Sequence, residues 1–390
     1  MRNNYSKIFV YIIIFILYAL FLRNDLYNVA SLSLFRNETT VSNSIQIFLL
    51  TLSTLIYAFT NRKYIVNKDI KSFKRFIIII CIFSIISSIV YPIGARIIYL
   101  LMFLPLLILF FTYISTSTIP ERILNISFFI LFIYLVYAYS QDYARILTFG
   151  LIEDVATNAS YFILYLLPLI LAMNKNWLSI IAIIITAVVV ISSSKRGGTI
   201  ALGLGFISFF ITKFVLIKER KLNFSLLLGL CIISILIIYG GSYLQESVIF
   251  ERLENIQDDE GSGRIEIYQN VTPLIYNSAP IPLIFGHGWN AVSRDMGVSA
   301  HNDFLEVLYD FGIISFILYL MCYYKLYKYL VSLIKRKSEL APALSCLLCF
   351  LIVGSSVSHI VIYPGYFSIF MLILGYIYGK ERINNKSISK

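Results

Sequence analysis

Long apolar runs recur along the whole chain, and each is about as long as a membrane-spanning helix. A helix needs about 20 apolar residues to cross the hydrocarbon core of a bilayer. Hydrophobic residues make up 59% of the 390 residues and charged residues only 14%, and the mean hydropathy is +0.82. A water-soluble globule has too little interior to bury so much apolar side chain. We therefore expect an all-α integral membrane protein, because a helix satisfies its backbone hydrogen bonds internally within lipid.

A window of about 19 residues predicts twelve membrane spans. They cover residues 8–22, 44–60, 76–93, 97–114, 123–139, 155–173, 177–194, 198–217, 222–242, 303–324, 341–362 and 365–379. The first span follows two basic residues but lacks a small-residue cleavage site. We interpret it as an uncleaved helix rather than a signal peptide.

The distribution of charge orients these spans. With the N-terminus inside, the predicted cytoplasmic segments hold 23 of the 32 Lys and Arg residues but only five of the 21 Asp and Glu residues. Lys and Arg concentrate in the cytoplasmic loops of membrane proteins, so both termini are expected in the cytoplasm. The net charge of +11 is then a topology signal and an attraction to anionic lipid, and it does not indicate a nucleic-acid partner.

One connection is much longer than the others. Residues 243–302, between the ninth and tenth spans, form a predicted extracytoplasmic loop of 60 residues inside a single membrane domain that covers residues 1–390. Loops of this length are usually functional or disordered. A helix-like stretch at 264–277, expected on the membrane surface, and a tight glycine turn from Gly286 to Trp289 favour an ordered, functional loop.

The clearest exception to the charge rule is a basic pair followed by two glycines. Lys195, Arg196, Gly197 and Gly198 stand in the short outer connection between the seventh and eighth spans. Glycine allows a ligand to approach closely, a helix start offers free N–H groups to an anion, and arginine binds phosphate oxygens with a planar fork. We predict a phosphate or diphosphate site here. The alternative is that both side chains snorkel to the interface.

All three histidines also fall on the predicted outer side. His301 immediately precedes the tenth span, where its usual pKa suits a general base near neutral pH; the alternative is a hydrogen-bonded interfacial histidine. His359 is expected to be such an interfacial residue. The role of His287, in the glycine turn, is left open.

Acidic residues line the helix that follows His301. Asn302 is the expected N-cap of that helix. Asp303, Glu306 and Asp310 share one face of it. A base must lie within reach of the group that it deprotonates, and Glu306 or Asp303 is the second choice after His301. Further upstream, a flexible Gly-Ser-Gly approach precedes Arg264, which either binds an anion or pairs with a nearby acidic residue.

Metal and disulfide chemistry is not expected. All five cysteines lie in apolar runs rather than in polar loops, and three histidines without a cysteine-rich loop do not indicate a zinc site. We expect neither a metal nor a cofactor.

Three stretches of the second half carry a recognisable order of motifs. They are Ser194-Lys195-Arg196-Gly197-Gly198, then Gly261-Ser262-Gly263-Arg264-Ile265-Glu266-Ile267-Tyr268, then Phe285-Gly286-His287-Gly288 followed by His301-Asn302-Asp303-Phe304-Leu305-Glu306 with Gly312. In this order, with a large outer loop and a histidine at the start of the tenth span, they resemble the O-antigen polymerase and O-antigen ligase family of bacterial envelope proteins. The resemblance covers about residues 190–325, and Ser315 stands where the family often has glycine.

The resemblance implies a glycosyltransferase at the outer face of the cytoplasmic membrane that uses sugars carried on undecaprenyl diphosphate. By match of motif, Arg196 and Arg264 would hold the diphosphate and His301 would activate the acceptor hydroxyl. The other expected substrate-binding residues are Lys195, Gly197, Gly198, His287, Asp303 and Glu306. A chain-length regulator is a possible partner.

Three functions remain open. We favour a polymerase that transfers the growing glycan onto the next lipid-linked repeat unit, because the Ile-, Asn-, Lys- and Tyr-rich composition is typical of variable polysaccharide gene clusters. A ligase would instead transfer the finished glycan to lipid A-core. A flippase of lipid-linked oligosaccharide is the alternative from another class, although a transporter should show symmetric halves and acidic residues near the midplane.

Overall fold

Helices account for nearly all of the chain that the structure describes. A computed structural model describes residues 2–29, 40–61, 71–90, 98–148, 158–173, 175–193, 195–216 and 264–388. The helices are α1 (Arg2–Val29), α2 (Thr40–Thr60), α3 (Lys71–Val90), α4 (Ile98–Thr118), α5 (Glu121–Thr148), α6 (Ser160–Ala172), α7 (Asn176–Ser192), α8 (Arg196–Leu216), α9 (Arg264–Tyr276), α10 (Pro280–Phe285), α11 (Ala291–Met296), α12 (Asp303–Lys335), α13 (Ala341–Val357) and α14 (Pro364–Ile388). Within these ranges the chain contains no strand.

Six of the described helices are long and apolar enough to cross a membrane. They are the spans Tyr5–Tyr27, Asn43–Thr60, Leu101–Thr118, Glu121–Ala144, Arg196–Leu216 and Asp303–Lys335, while α6, α7 and α13 are shorter apolar helices. The prediction of an all-α membrane protein is therefore confirmed. The predicted ninth span, 222–242, lies outside the described residues, so the count of twelve stays a prediction.

The packing separates buried aromatic surfaces from apolar faces directed outward. α14 lies along α4 and α6, and α8 lies along α13. Tyr165, on α6, is fully buried and packs against Phe370 and Tyr366 of α14. By contrast, Phe59 of α2 and Val188 of α7 are exposed. Apolar faces of this kind suit contact with lipid rather than water.

Several helix boundaries differ from the prediction, and two of them bear on the site. The tenth predicted span ends at residue 324, but α12 continues to Lys335. The eleventh was predicted to reach residue 362, but α13 ends at Val357. The following N–H groups, of Ile360 and Val361, donate to the Asp303 carboxylate instead of continuing the helix.

The described part of the predicted loop is ordered into three helices, α9, α10 and α11. The helix expected at 264–277 is therefore confirmed as Arg264–Tyr276. Its location on the membrane surface stays a prediction, and residues 243–263 lie outside the described residues.

Candidate active site

The site begins with the chain reversal that starts α12. Asn302 is the N-cap, and its Oδ1 accepts hydrogen bonds from the backbone N–H groups of Phe304 at 3.0 Å and Leu305 at 3.3 Å. This confirms the predicted cap. His301, just before it, has a φ of 52°, a left-handed conformation that few residues other than glycine adopt. Its backbone N–H donates to Oε1 of Glu306 at 3.2 Å, which holds the turn in place.

Asp303 is a buried acceptor for the segment that follows α13. Its carboxylate accepts hydrogen bonds from the backbone N–H groups of Ile360 and Val361 at 2.9–3.3 Å. The hydroxyl groups of Ser355 and Tyr319 donate to the same carboxylate at 2.9 and 3.4 Å. These protein donors give Asp303 a structural role, and its predicted contact with substrate stays a prediction.

Glu306 joins the two histidines of the site. Its Oε2 lies 3.1 Å from Nδ1 of His359, while its Oε1 accepts the backbone N–H of His301. The two imidazole rings are in contact, with centroids 4.5 Å apart and planes inclined by 36°. Glu306 and His359 are both buried. A carboxylate thus lies beside the two rings at the rim of α12.

The electrostatic environment shifts the pKa values of the two histidines in opposite directions. Burial, the neighbouring His359 and the positive charges of Arg264 and Lys195 together lower the pKa of His301 to about 4. Burial also opposes the charged form of His359, but the hydrogen bond and the charge of Glu306 outweigh it and raise the pKa of His359. At neutral pH His301 is therefore neutral and able to accept a proton.

Two of the predicted cationic residues act on this pair. Arg264, the first residue of α9, interacts electrostatically with both histidines and with Tyr161 of α6. Lys195, just before α8, interacts with His301. The structure thus brings Arg264, Lys195 and His301 together, although more than 100 residues separate the first and last of them in the sequence.

Two hydrogen bonds to one carbonyl group connect α9 to the turn that carries His301. The hydroxyl of Tyr268, one turn after Arg264, donates to the backbone oxygen of Ser356 at 3.3 Å. The side-chain amide of Asn302 donates to that oxygen at 3.4 Å. The end of α13 therefore connects the helix that carries Arg264 to the turn that carries His301.

The start of α8 is packed closely against protein. Arg196 is its first residue, and the Nε and Nη1 atoms of this arginine are buried. A Cβ at Gly197 would lie 2.8 Å from the Tyr161 hydroxyl and 2.9 Å from a Val357 methyl group, whereas one at Gly198 would make ordinary contacts. Gly197 thus permits helix packing, and the expected approach of a ligand to either glycine stays a prediction.

The predicted turn at Gly286 packs into a break in α12. At Gly312 the backbone has φ 77° and ψ 174° and leaves the helix, so the carbonyl groups one turn earlier lose their usual donors. The N–H groups of His287 and Gly288 replace them, donating to Tyr309 at 3.1 Å and to Asp310 at 2.8 Å. Two of the motif stretches are therefore hydrogen-bonded to each other.

His287 and Asp310 support this packing. The His287 ring stacks on Tyr309 with centroids 4.1 Å apart, and its predicted contact with substrate is not tested by this geometry. The buried Asp310 carboxylate accepts the backbone N–H of Val292 in α11 at 3.0 Å. The predicted acidic face of α12 is confirmed, since Asp303, Glu306 and Asp310 are all buried on it.

Sequence reasoning missed the part of His359. The hydrogen bond that the sequence predicts for it is present, between Nδ1 and Glu306, but the ring is also buried against that of His301, a contact that the sequence does not predict. Its partner Glu306 precedes it by 53 residues, and Asp303, which binds the backbone N–H of the next residue, Ile360, precedes that residue by 57. No local spacing signals either contact.

Comparison with known proteins finds one family that part of the chain resembles. Residues 181–320 match the family described as O-antigen ligase. That segment contains every stretch that carries the resemblance found in the sequence: 194–198, 261–268, 285–288 and 301–312. A search of curated proteins finds no match. Over residues 181–320, which include Arg196, Arg264 and the histidine turn, the chain is similar to the O-antigen polymerase and ligase family of glycosyl-transfer proteins.

Proposed function

We propose that the protein is a polymerase that transfers an undecaprenyl-diphosphate-linked glycan onto the next lipid-linked repeat unit at the outer face of the cytoplasmic membrane. The observation that carries the proposal is the neutral His301 beside two cationic side chains, Arg264 and Lys195. A base next to a site for anions is what glycosyl transfer from a lipid diphosphate requires.

The reaction follows from these charges. The hydroxyl oxygen of the acceptor sugar attacks the anomeric carbon of the donor while His301 accepts the hydroxyl proton. The bond between the anomeric carbon and the phosphate oxygen breaks, and its electron pair leaves with the diphosphate. Arg264 and Arg196 stabilise the charge that develops on this leaving group. The proton on His301 then passes to solvent, which restores the neutral base.

The transfer needs no metal in this proposal, because cationic side chains supply the charge at the diphosphate. Lys195 adds to that charge beside His301. Glu306 binds the backbone of His301 and so fixes the position of the base. The helices α9 to α11 cover the donor and acceptor sugars.

A ligase is the second candidate, since the family that matches residues 181–320 is described as O-antigen ligase. The chemistry at the donor is the same in both. The acceptor of a ligase is the sugar of lipid A-core rather than a lipid-linked repeat unit.

The test is a gel of surface glycan from a strain that lacks the gene. A core bearing a single repeat unit, with the ladder lost, supports a polymerase. A bare core with long polymer left on undecaprenyl diphosphate supports a ligase and refutes the polymerase. Repeat units trapped on the cytoplasmic side indicate a flippase, and an unchanged ladder refutes all three.

Site variants expressed in that strain test the mechanism. We expect Arg264→Ala, Arg196→Ala and His301→Ala to abolish chain lengthening while the protein stays in the membrane. Glu121→Gln is a suitable control, because this exposed carboxylate pairs with Lys380 away from the site. Full activity of all three alanine variants would refute the mechanism.

A further inference from the structure

His359 lies outside the family-matched segment, yet it is part of the histidine site. The match ends at residue 320, and His359 follows in the segment between α13 and α14. Its ring contacts the His301 ring on one side, with centroids 4.5 Å apart, and stacks on the Tyr363 ring on another side, with centroids 5.5 Å apart. The base of the proposed reaction therefore has a second imidazole as its neighbour.

Two carboxylates of α12 hold His359 in this position. Glu306 binds its Nδ1 at 3.1 Å, which fixes the orientation of the ring. Asp303 binds the backbone N–H groups of the next two residues, Ile360 and Val361, which fixes the backbone. A buried side chain held at both its ring and its backbone has little freedom to move relative to His301.

Charged groups from four parts of the chain face the histidine pair. They are Glu306 and Asp303 from α12, Arg264 from α9, Lys195 from the residue before α8, and the histidines themselves, since each ring acts on the other. The carboxylates lie on the His359 side, where Glu306 makes the direct hydrogen bond. Two positively charged imidazoles in contact repel each other, so the pair carries a single positive charge, on the ring that the carboxylate binds.

We propose that His359 is a positioning residue: with Glu306 it holds His301 in place and carries the single positive charge of the pair, so that His301 stays neutral and ready to accept the acceptor proton. This inference rests on the proposed function, in which His301 is the base. His359 itself contacts neither the donor nor the acceptor. During transfer the acceptor proton passes to His301, and the charge on His359 then favours its release to solvent.

The charge and the position of His359 can be separated by two substitutions. His359→Asn keeps a side-chain N–H donor near the position of Nδ1 for Glu306, but it cannot be protonated. His359→Phe keeps an aromatic ring against His301 and removes the donor. We expect the Phe variant to lose activity and the Asn variant to retain part of it.

The decisive readout is the pH profile of transfer. In the Asn variant the acidic limb of kcat/KM should move to higher pH by about one unit, because His301 no longer faces a charged neighbour. It should stay below the ordinary histidine value, since burial remains. Glu121→Gln removes a distant charge and should leave the profile unchanged. An acidic limb in His359→Asn that coincides with that of the wild type would overturn the proposal.

A second readout does not depend on activity. The chain has three histidines, so ¹⁵N-histidine spectra of the full-length protein in lipid nanodiscs can follow each ring, with assignments from single substitutions. We expect one ring of the pair to titrate above the ordinary value and His301 well below it. In His359→Asn, the His301 titration should move upward. Two rings that both titrate at the ordinary value would refute the single charge on His359.

These measurements distinguish the inference from the proposed function. If His301→Ala keeps full transfer, the proposed base is wrong, whatever the spectra show. If His301→Ala is inactive while His359→Asn changes neither the pH profile nor the His301 titration, the base stands and the role of His359 is refuted.

Discussion

Replacing Asp303 by Asn tests whether this carboxylate holds the histidine site together. The carboxylate accepts hydrogen bonds from two backbone N–H groups, those of Ile360 and Val361, and from the hydroxyls of Ser355 and Tyr319. Asparagine keeps one accepting oxygen, and its NH₂ group would face donors that it cannot satisfy. We expect the substitution to release the segment that carries His359.

The size of the effect follows from the number of bonds lost. A hydrogen bond to a charged group contributes about 1.5–3 kcal/mol. The loss of two of the bonds made to the oxygen that the NH₂ group replaces therefore costs about 3–6 kcal/mol. Since about 1.4 kcal/mol corresponds to a factor of ten, the ordered arrangement of residues 358–361 becomes at least about 100-fold less favourable. If His301 requires His359 beside it, glycan polymer should fall by a comparable factor.

The assay compares Asp303→Asn with Asp295→Asn in the strain that lacks the gene. Asp295 is a matched control, because it is partly exposed and bonds Arg294 and the hydroxyl of Tyr309 rather than the histidine segment. The readouts are the glycan ladder, the amount of protein in the membrane, and the thermal unfolding midpoint in detergent. We expect Asp303→Asn alone to lower both the midpoint and the ladder.

Two results would refute this reasoning. A wild-type midpoint together with a wild-type ladder would show that the four donors contribute little. A wild-type midpoint without polymer would show that Asp303 acts on substrate, as the sequence predicts, rather than through His359.

Three further predictions follow from the geometry. Inorganic pyrophosphate should raise the pKa of His301 above about 4 in histidine spectra, because its negative charge offsets Arg264 and Lys195 and favours the protonated ring; an unchanged titration would contradict an anion site there. Gly312→Ala should lower the unfolding midpoint, because a residue with a Cβ in the glycine-specific conformation of φ 77° and ψ 174° costs roughly 1–3 kcal/mol, and that Cβ would overlap the Ile284 carbonyl; an unchanged midpoint would show that the break in α12 can straighten. A tryptophan in Tyr276→Trp, at the 85% exposed last residue of α9, should be quenched by brominated lipid if the helix at 264–277 lies on the membrane surface as predicted; quenching only by aqueous quenchers would place α9 in water.

Local physics made part of this protein predictable from its sequence. The helices were predictable because each apolar run must satisfy its own backbone hydrogen bonds in lipid. The cap at Asn302 was predictable because a cap involves only the next few residues. The motif order around Arg196, Arg264 and His301 was sufficient to indicate the resemblance to the O-antigen polymerase and ligase family, and the match to residues 181–320 confirms that resemblance. The end of α13 was not predictable, because apolar side chains continue past Val357. The helix ends there because the next N–H groups bind the carboxylate of Asp303, which is distant in the sequence.

The composition of the sequence was enough to predict that the protein lies in a lipid bilayer, and its local patterns were enough to predict where helices begin. Only the tertiary structure decided that Glu306 bonds His359 from 53 residues away, and that this ring contacts His301. It also decided that the turn at His287 supplies donors to the break at Gly312. Such contacts join different helices, and their partners are chosen by how the helices pack. The periodicity of one segment cannot predict these contacts, because side chains that meet across helices have no fixed spacing in the sequence and no local hydrogen bond.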